Sequence, residues 1–220
     1  MQDVDVCVLL DRQHESLPVR HINSWKSFNV QPWHRAAMLT YRFDMADAAD
    51  LPDLPRPSQL WKQLNAEKKR QAADAFWHDE HAANEQAEAI NMIAQRIKFR
   101  LKSVLALPLE KKSHYLLGMP AVSEILAARL LVAYHLQHQR AMMGTFLDAL
   151  GIRHEEGIIA EDEVKPPTED ALKQAAGALA SSYPAEDVSL YLSTLVWQDP
   201  DTWGALADLP ETKPRETTNT

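Results

Sequence analysis

One stretch constrains this chain more than any other: Pro120 to Leu150, PAVSEILAARLLVAYHLQHQRAMMGTFLDAL. Proline is tolerated in the first turn of a helix, where its missing N–H has no intrahelical bond to lose, and Gly151 stands where a C-terminal cap is wanted. Between them lie good helix formers, a single glycine and no internal proline. At about 100° per residue, Val122, Ile125, Leu136, Met143 and Leu147 cover one side, and Leu126 and Leu130 lie well round from them. Ala127, Ala128, Leu131 and Met142 take another side. A helix apolar most of the way round is enclosed by other helices. The stretch therefore predicts an all-α chain organised around a central helix over 120–150.

The remaining elements follow from caps and periodicity. Ser58 reads as the N-cap of a short helix carrying Leu60, Trp61 and Leu64, and Asn65 as the cap of a long helix from about 66 to 107, stopped by Pro108. With Ile90 at zero, Phe76, Ala83, Ala87, Ala94, Ile97, Leu101 and Val104 fall within about 60° of it, one apolar stripe along the helix. A shorter helix over 109–117 ends at Gly118. Thr168 caps a helix over 169–182, Pro184 opens another to about Val196, and Asp199-Pro200 starts a last one through Ala207. The expected architecture is an irregular helical bundle of about six to eight helices with no solenoid repeat.

Two terminal regions read differently. Residues 1–55 show no sustained helical period and leave through the proline-punctuated connector LPDLPRP, so they are expected to be a loosely ordered arm. Asp5–Leu10 suits a short strand, and Met38 or Met45 offers an alternative start that would leave the upstream residues outside the expressed protein. Residues 56–208 then form a single helical domain. Its main bundle is 56–154, and an acidic connector joins it to C-terminal helices over 168–208. The tail 209–220 is expected to be disordered for want of apolar side chains.

Composition excludes several chemistries. All six glycines follow position 117, and none forms a dinucleotide fingerprint, a Walker loop or a nucleophile elbow. A single cysteine, Cys7, excludes an internal disulfide framework and favours a reducing cytoplasm. No apolar run approaches the roughly 20 residues that span a bilayer. The formal net charge is −8, and residues 155–220 hold 14 acidic against 4 basic residues. That balance argues against nucleic acid as a partner.

Three clusters invite a functional reading. His78, His81, Glu85 and Glu88 have helical spacing, but they sit at about 160–240° from the apolar stripe and read as a solvated face rather than a metal site. The basic run Arg96 to Lys102 surrounds Phe99, yet its charges point several ways round the helix, so no nucleic-acid groove is expected. Glu124, His135 and His138 share one polar stripe of the central helix. They satisfy buried partners and fix packing, or they line a pocket in which the imidazoles bind or catalyse. Glu124 lies some 16 Å along the axis from His135 at 1.5 Å per residue, too far for direct cooperation. The expectation is an acidic, cytoplasmic, non-enzymatic protein acting through a protein partner or a homo-oligomer, with no nucleic acid, membrane, metal or cofactor. The alternative is a helical enzyme or ligand-binding protein with its pocket at His135 and His138.

Overall fold

Capping side chains mark where several of these helices begin. The computed structural model describes residues 54–160 and 164–213. Asn65 accepts a hydrogen bond from the Lys68 N–H at 2.8 Å and starts α2 (Ala66–His78), which follows α1 (Pro57–Gln63). Thr168 accepts from Ala171 N–H to start α8 (Glu169–Ser182), and Asp199 from Thr202 N–H to start α10 (Pro200–Trp203). Between these lie α3 (Ala83–Ile97), α4 (Leu101–Leu105), α5 (Leu109–Leu117), α6 (Glu124–His138), α7 (Arg140–Ala149) and α9 (Ala185–Gln198). A 3₁₀ turn, Gly204–Asp208, closes the order. The fold is all-α, with ten α-helices among the described residues rather than six to eight.

The excess arises because both long helices break. The expected 66–107 helix is three, and each interruption has a cause. Asp79 leaves the helical path with ψ 107, held by an ion pair to Arg129 at 2.7 Å, while the Gln86 amide donates to the carbonyls of Phe76 and Asp79. These bonds supplement the backbone donors of Asp79 and Ala82, which also reach Phe76 O and Asp79 O. Further on, Lys98 takes the left-handed conformation, φ 54, and Phe99 N–H donates back to Ala94 O at 3.0 Å. This is a Schellman closure made without glycine. The breaks reset the helical phase, so Ala83, Ala87 and Leu101 are exposed although they lie on the expected stripe, whereas Ile93 is fully buried.

The central helix also divides. Pro120 lies before the helix, Ser123 is the N-cap through a 3.1 Å bond from Leu126 N–H, and Gln139 (φ −125) separates α6 from α7. From Leu126 to His135 every residue of α6 is buried. It packs against α2 and α1 most extensively, then against α9 and α3, the enclosure its all-round apolar surface demands. Gly151, with φ +68, closes α7 as expected, and Ile152 N–H reaches Leu147 O at 2.9 Å.

Four local expectations need correction. Ser58 does not cap α1, whose N-cap is Arg56; its hydroxyl and N–H both bond Glu124 instead. The connector holds a two-residue β-hairpin, β1 (His154–Glu155) paired antiparallel with β2 (Ile158–Ile159). Glu156 (φ 50) and Gly157 (φ 82) form its turn, the positive-φ pair that right-twisted hairpins favour. The first part of the tail is docked: Thr212 is wholly buried, its carbonyl accepts from Ser189 and Ser193, and its hydroxyl donates to Leu206 O. Leu54 and Pro55 belong to the helical body, since Leu54 is buried and Pro55 O accepts from Trp197 Nε1 at 2.9 Å. The proposed strand at Asp5–Leu10, the rest of the N-terminal arm and residues 214–220 lie outside the described residues.

Candidate functional site

Glu124, His135 and His138 occupy one helix but three different environments. Glu124 opens α6, and its carboxylate accepts from the Ser58 hydroxyl at 2.6 Å and the Ser58 N–H at 2.9 Å. Two charge-assisted bonds at the first turn of α1 tie that helix to the start of α6. His138, near the α6 C-terminus, is exposed and lies beside the Tyr134 ring, centroids 5.6 Å apart. Only His135 is buried. The three side chains reach no common partner.

His135 sits where α6 meets α9. Its Nε2 lies 3.2 Å from Thr194 Oγ1, and that hydroxyl already donates to Leu190 O at 2.7 Å. Thr194 must therefore accept, which places the imidazole proton on Nε2 and leaves Nδ1 as the bare nitrogen. Tyr134 and Tyr191 meet the ring edge to face at 5.5 and 5.4 Å. Burial, reinforced by the nearby Lys68 ammonium, lowers its pKa from 6.5 to about 3. The imidazole is thus a neutral packing element near neutral pH.

Ionic groups around α6 are equally committed. Arg129 and Asp79 form a nearly dry pair at 2.7 Å. Burial works against the charge of Lys68, but hydrogen bonds to Asp187 and Glu186, each at 2.8 Å, outweigh it and hold the pKa above that of an ordinary lysine. Trp77 is buried. It packs edge to face on Phe76 at 5.0 Å, with the Lys112 ammonium 5.9 Å from its ring centroid.

A shallow depression between α7 and the hairpin gathers Arg140, Thr145, Asp148 and His154. It resembles an acid–base cluster until its hydrogen bonds are traced. His154 Nδ1 accepts from Gly157 N–H at 3.1 Å, so Nε2 carries the proton and donates to Asp148 at 3.0 Å. Thr145 donates to Ala141 O and receives the Tyr183 hydroxyl, and Arg140 pairs with Glu156. Both imidazole nitrogens are spent on pinning the hairpin. A Cβ at Gly157 would lie 2.6 Å from Arg140 O, so that residue lets the turn close on α7. Among the described residues no group of three or more His, Cys, Asp or Glu is arranged to hold a metal ion; His78 and His81 are exposed.

What remains uncommitted is a surface strip from the end of α3 to the start of α5. Phe99, Leu101, Leu105 and Leu109 are 53, 45, 50 and 38% exposed. Leu101 and Leu105, one turn apart, share a face of α4, while Val104 is fully buried and anchors it. Arg96, Lys98, Arg100, Lys102 and Lys111 are exposed, and none forms an ion pair with a carboxylate among the described residues. Sequence periodicity misses this strip because it assigns Leu101 to the core. The one signal that finds it is Phe99, about 180° from the apolar stripe. No family model, curated protein or solved structure matches this chain. Among the described residues no helix is long and apolar enough to cross a membrane.

Proposed function

We propose that the protein is a non-enzymatic, cytoplasmic helical module acting through protein–protein contacts, with the strip over residues 96–109 as its contact surface. The observation that carries this reading is the strip itself. One exposed leucine needs no explanation, but four large apolar side chains within a short stretch, rimmed by cations that form no ion pair among the described residues, match a recognition surface. The hydrogen bonding elsewhere supports the same reading, because the imidazoles and carboxylates best placed for chemistry hold helices and hairpin together. The lone cysteine, Cys7, supports a reducing compartment.

Site-specific photo-crosslinking in cells tests it. A benzophenone side chain at position 105 is expected to yield discrete protein adducts, and the same group at the exposed Gln174 on α8 none. Absence of adducts from positions 99, 101, 105 and 109 alike would overturn the assignment.

A further inference from the structure

We infer that the occupant of this strip is an acidic, apolar-anchored segment of another protein, an inference that rests on the contact-surface reading above. The charge on the strip points to it. The exposed Arg96, Lys98, Arg100, Lys102 and Lys111 stand against Glu110 alone between positions 96 and 111, in a chain whose formal net charge is −8. A local cationic island on an anionic protein steers acidic partners toward itself and repels cationic ones. The apolar side chains then supply the anchors, since removing apolar surface from water is the main favourable term in association, whereas rim-exposed charges contribute little.

The same charge disfavours a second copy docked strip to strip. A two-fold interface sets each patch against its own counterpart, and like cations would face one another as water is expelled. An anionic membrane suits the charge but not the shape. Interfacial helices bury a continuous apolar face, whereas α4 has five residues and presents only Leu101 and Leu105 on its exposed side. Single-stranded nucleic acid wants successive aromatic platforms, and the strip carries Phe99 alone. A short peptide segment with two or three apolar anchors matches what is exposed.

Fluorescence anisotropy on the full chain tests the inference with synthetic probes. The first is an amphipathic peptide of glutamates with leucine and phenylalanine at helical spacing. Two controls change its glutamates to glutamine or its apolar residues to serine. Phosphatidylserine–phosphatidylcholine vesicles and oligouridylate complete the set. The first peptide is expected to bind, more weakly as salt rises. Each control, and each of Leu105→Ser and the double variant Arg100→Glu/Lys102→Glu, is expected to weaken binding about tenfold or more. Both variants change exposed side chains and should melt as the wild type does, so a folding defect in one leaves the other informative. Equal binding by wild type and variants overturns the inference. So does preference for vesicles or oligouridylate, or concentration-dependent self-association abolished by Leu105→Ser. If the peptide fails while position 105 still yields adducts, the acidic occupant is wrong and the contact surface stands; if adducts are also absent, both fall.

Discussion

Two regions of this molecule use the same residue types to opposite ends. Where α2, α6 and α9 meet, the charged and polar side chains have defined partners: Arg129 with Asp79, Lys68 with Asp187 and Glu186, His135 with Thr194. On the strip, Arg96, Lys98, Arg100, Lys102 and Lys111 face solvent with no ion pair to a carboxylate among the described residues, and Leu101, Leu105 and Leu109 lie partly exposed. The interior shows what this chain does when polar groups must be satisfied in order to fold. The strip shows surface held out of that process. That contrast is the observation on which the contact-surface proposal rests.

The sharpest way to break the comparison is to remove one partner of the buried ion pair. Arg129→Ala leaves the Asp79 carboxylate at 12% side-chain exposure without its guanidinium. The expected loss is about 3–5 kcal/mol in urea melts. Adding Asp79→Ala should restore part of it, because the stranded charge is then gone. A loss under about 1 kcal/mol for Arg129→Ala would mean that the pair behaves like a surface bridge.

Core positions separate next. Ile93 is fully buried, and Ile93→Ala should cost about 2–4 kcal/mol through lost burial and a residual cavity. Leu105→Ala on the strip should stay within about 0.5 kcal/mol. Similar costs at both positions would show the strip to be core, and the docking proposal would go with it.

The contrast between Ile93 and the strip also shows how far the sequence could be read. The helical class, the enclosure of the central helix and the caps at Asn65, Thr168, Asp199 and Gly151 were legible because each is a local signal with a local cause. The breaks were not. Asp79 stops α2 by reaching Arg129 fifty residues on, and Lys98 occupies a left-handed position that glycine would have announced. Once those breaks shift the phase, a stripe centred on Ile90 no longer predicts which side of Leu101 faces inward. His135 was legible as a polar residue on an apolar helix. Its partner Thr194 comes from α9, and its separation from Glu124 and His138 depends on a tertiary arrangement that periodicity cannot supply.

Acid should probe His135 at intermediate magnitude. The unfolded imidazole titrates near 6.5 and the folded one near 3, so between these values the unfolded chain binds the additional proton. Stability therefore rises with pH across this window and is lost as pH falls below about 6.5. The loss by pH 5 should be about 2 kcal/mol, read as the difference between wild type and His135→Gln, which keeps a donor for Thr194 and cannot titrate. Equal slopes for wild type and His135→Gln would show that α6 and α9 admit the imidazolium without penalty.

The smallest effect sharpens the comparison most. Lys98 sits at φ 54 and ψ 36, where its Cβ crowds the backbone and glycine would not. Lys98→Gly relieves that crowding but frees the unfolded chain, so the net gain should be about 0.5–1 kcal/mol. Lys98→Ala keeps the Cβ and the strain, and should leave stability close to that of the wild type. Both variants remove one cation from the strip, so both should weaken the acidic amphipathic peptide to a similar, modest degree. A gain in melting for glycine alone, with shared behaviour in binding, would separate the backbone role of position 98 from its charge. A residue that trades stability for surface charge is the pattern expected where a contact face, rather than the fold, sets the choice. If Lys98→Gly gains stability and binding is unchanged in both variants, the cation at this position serves neither the fold nor the partner.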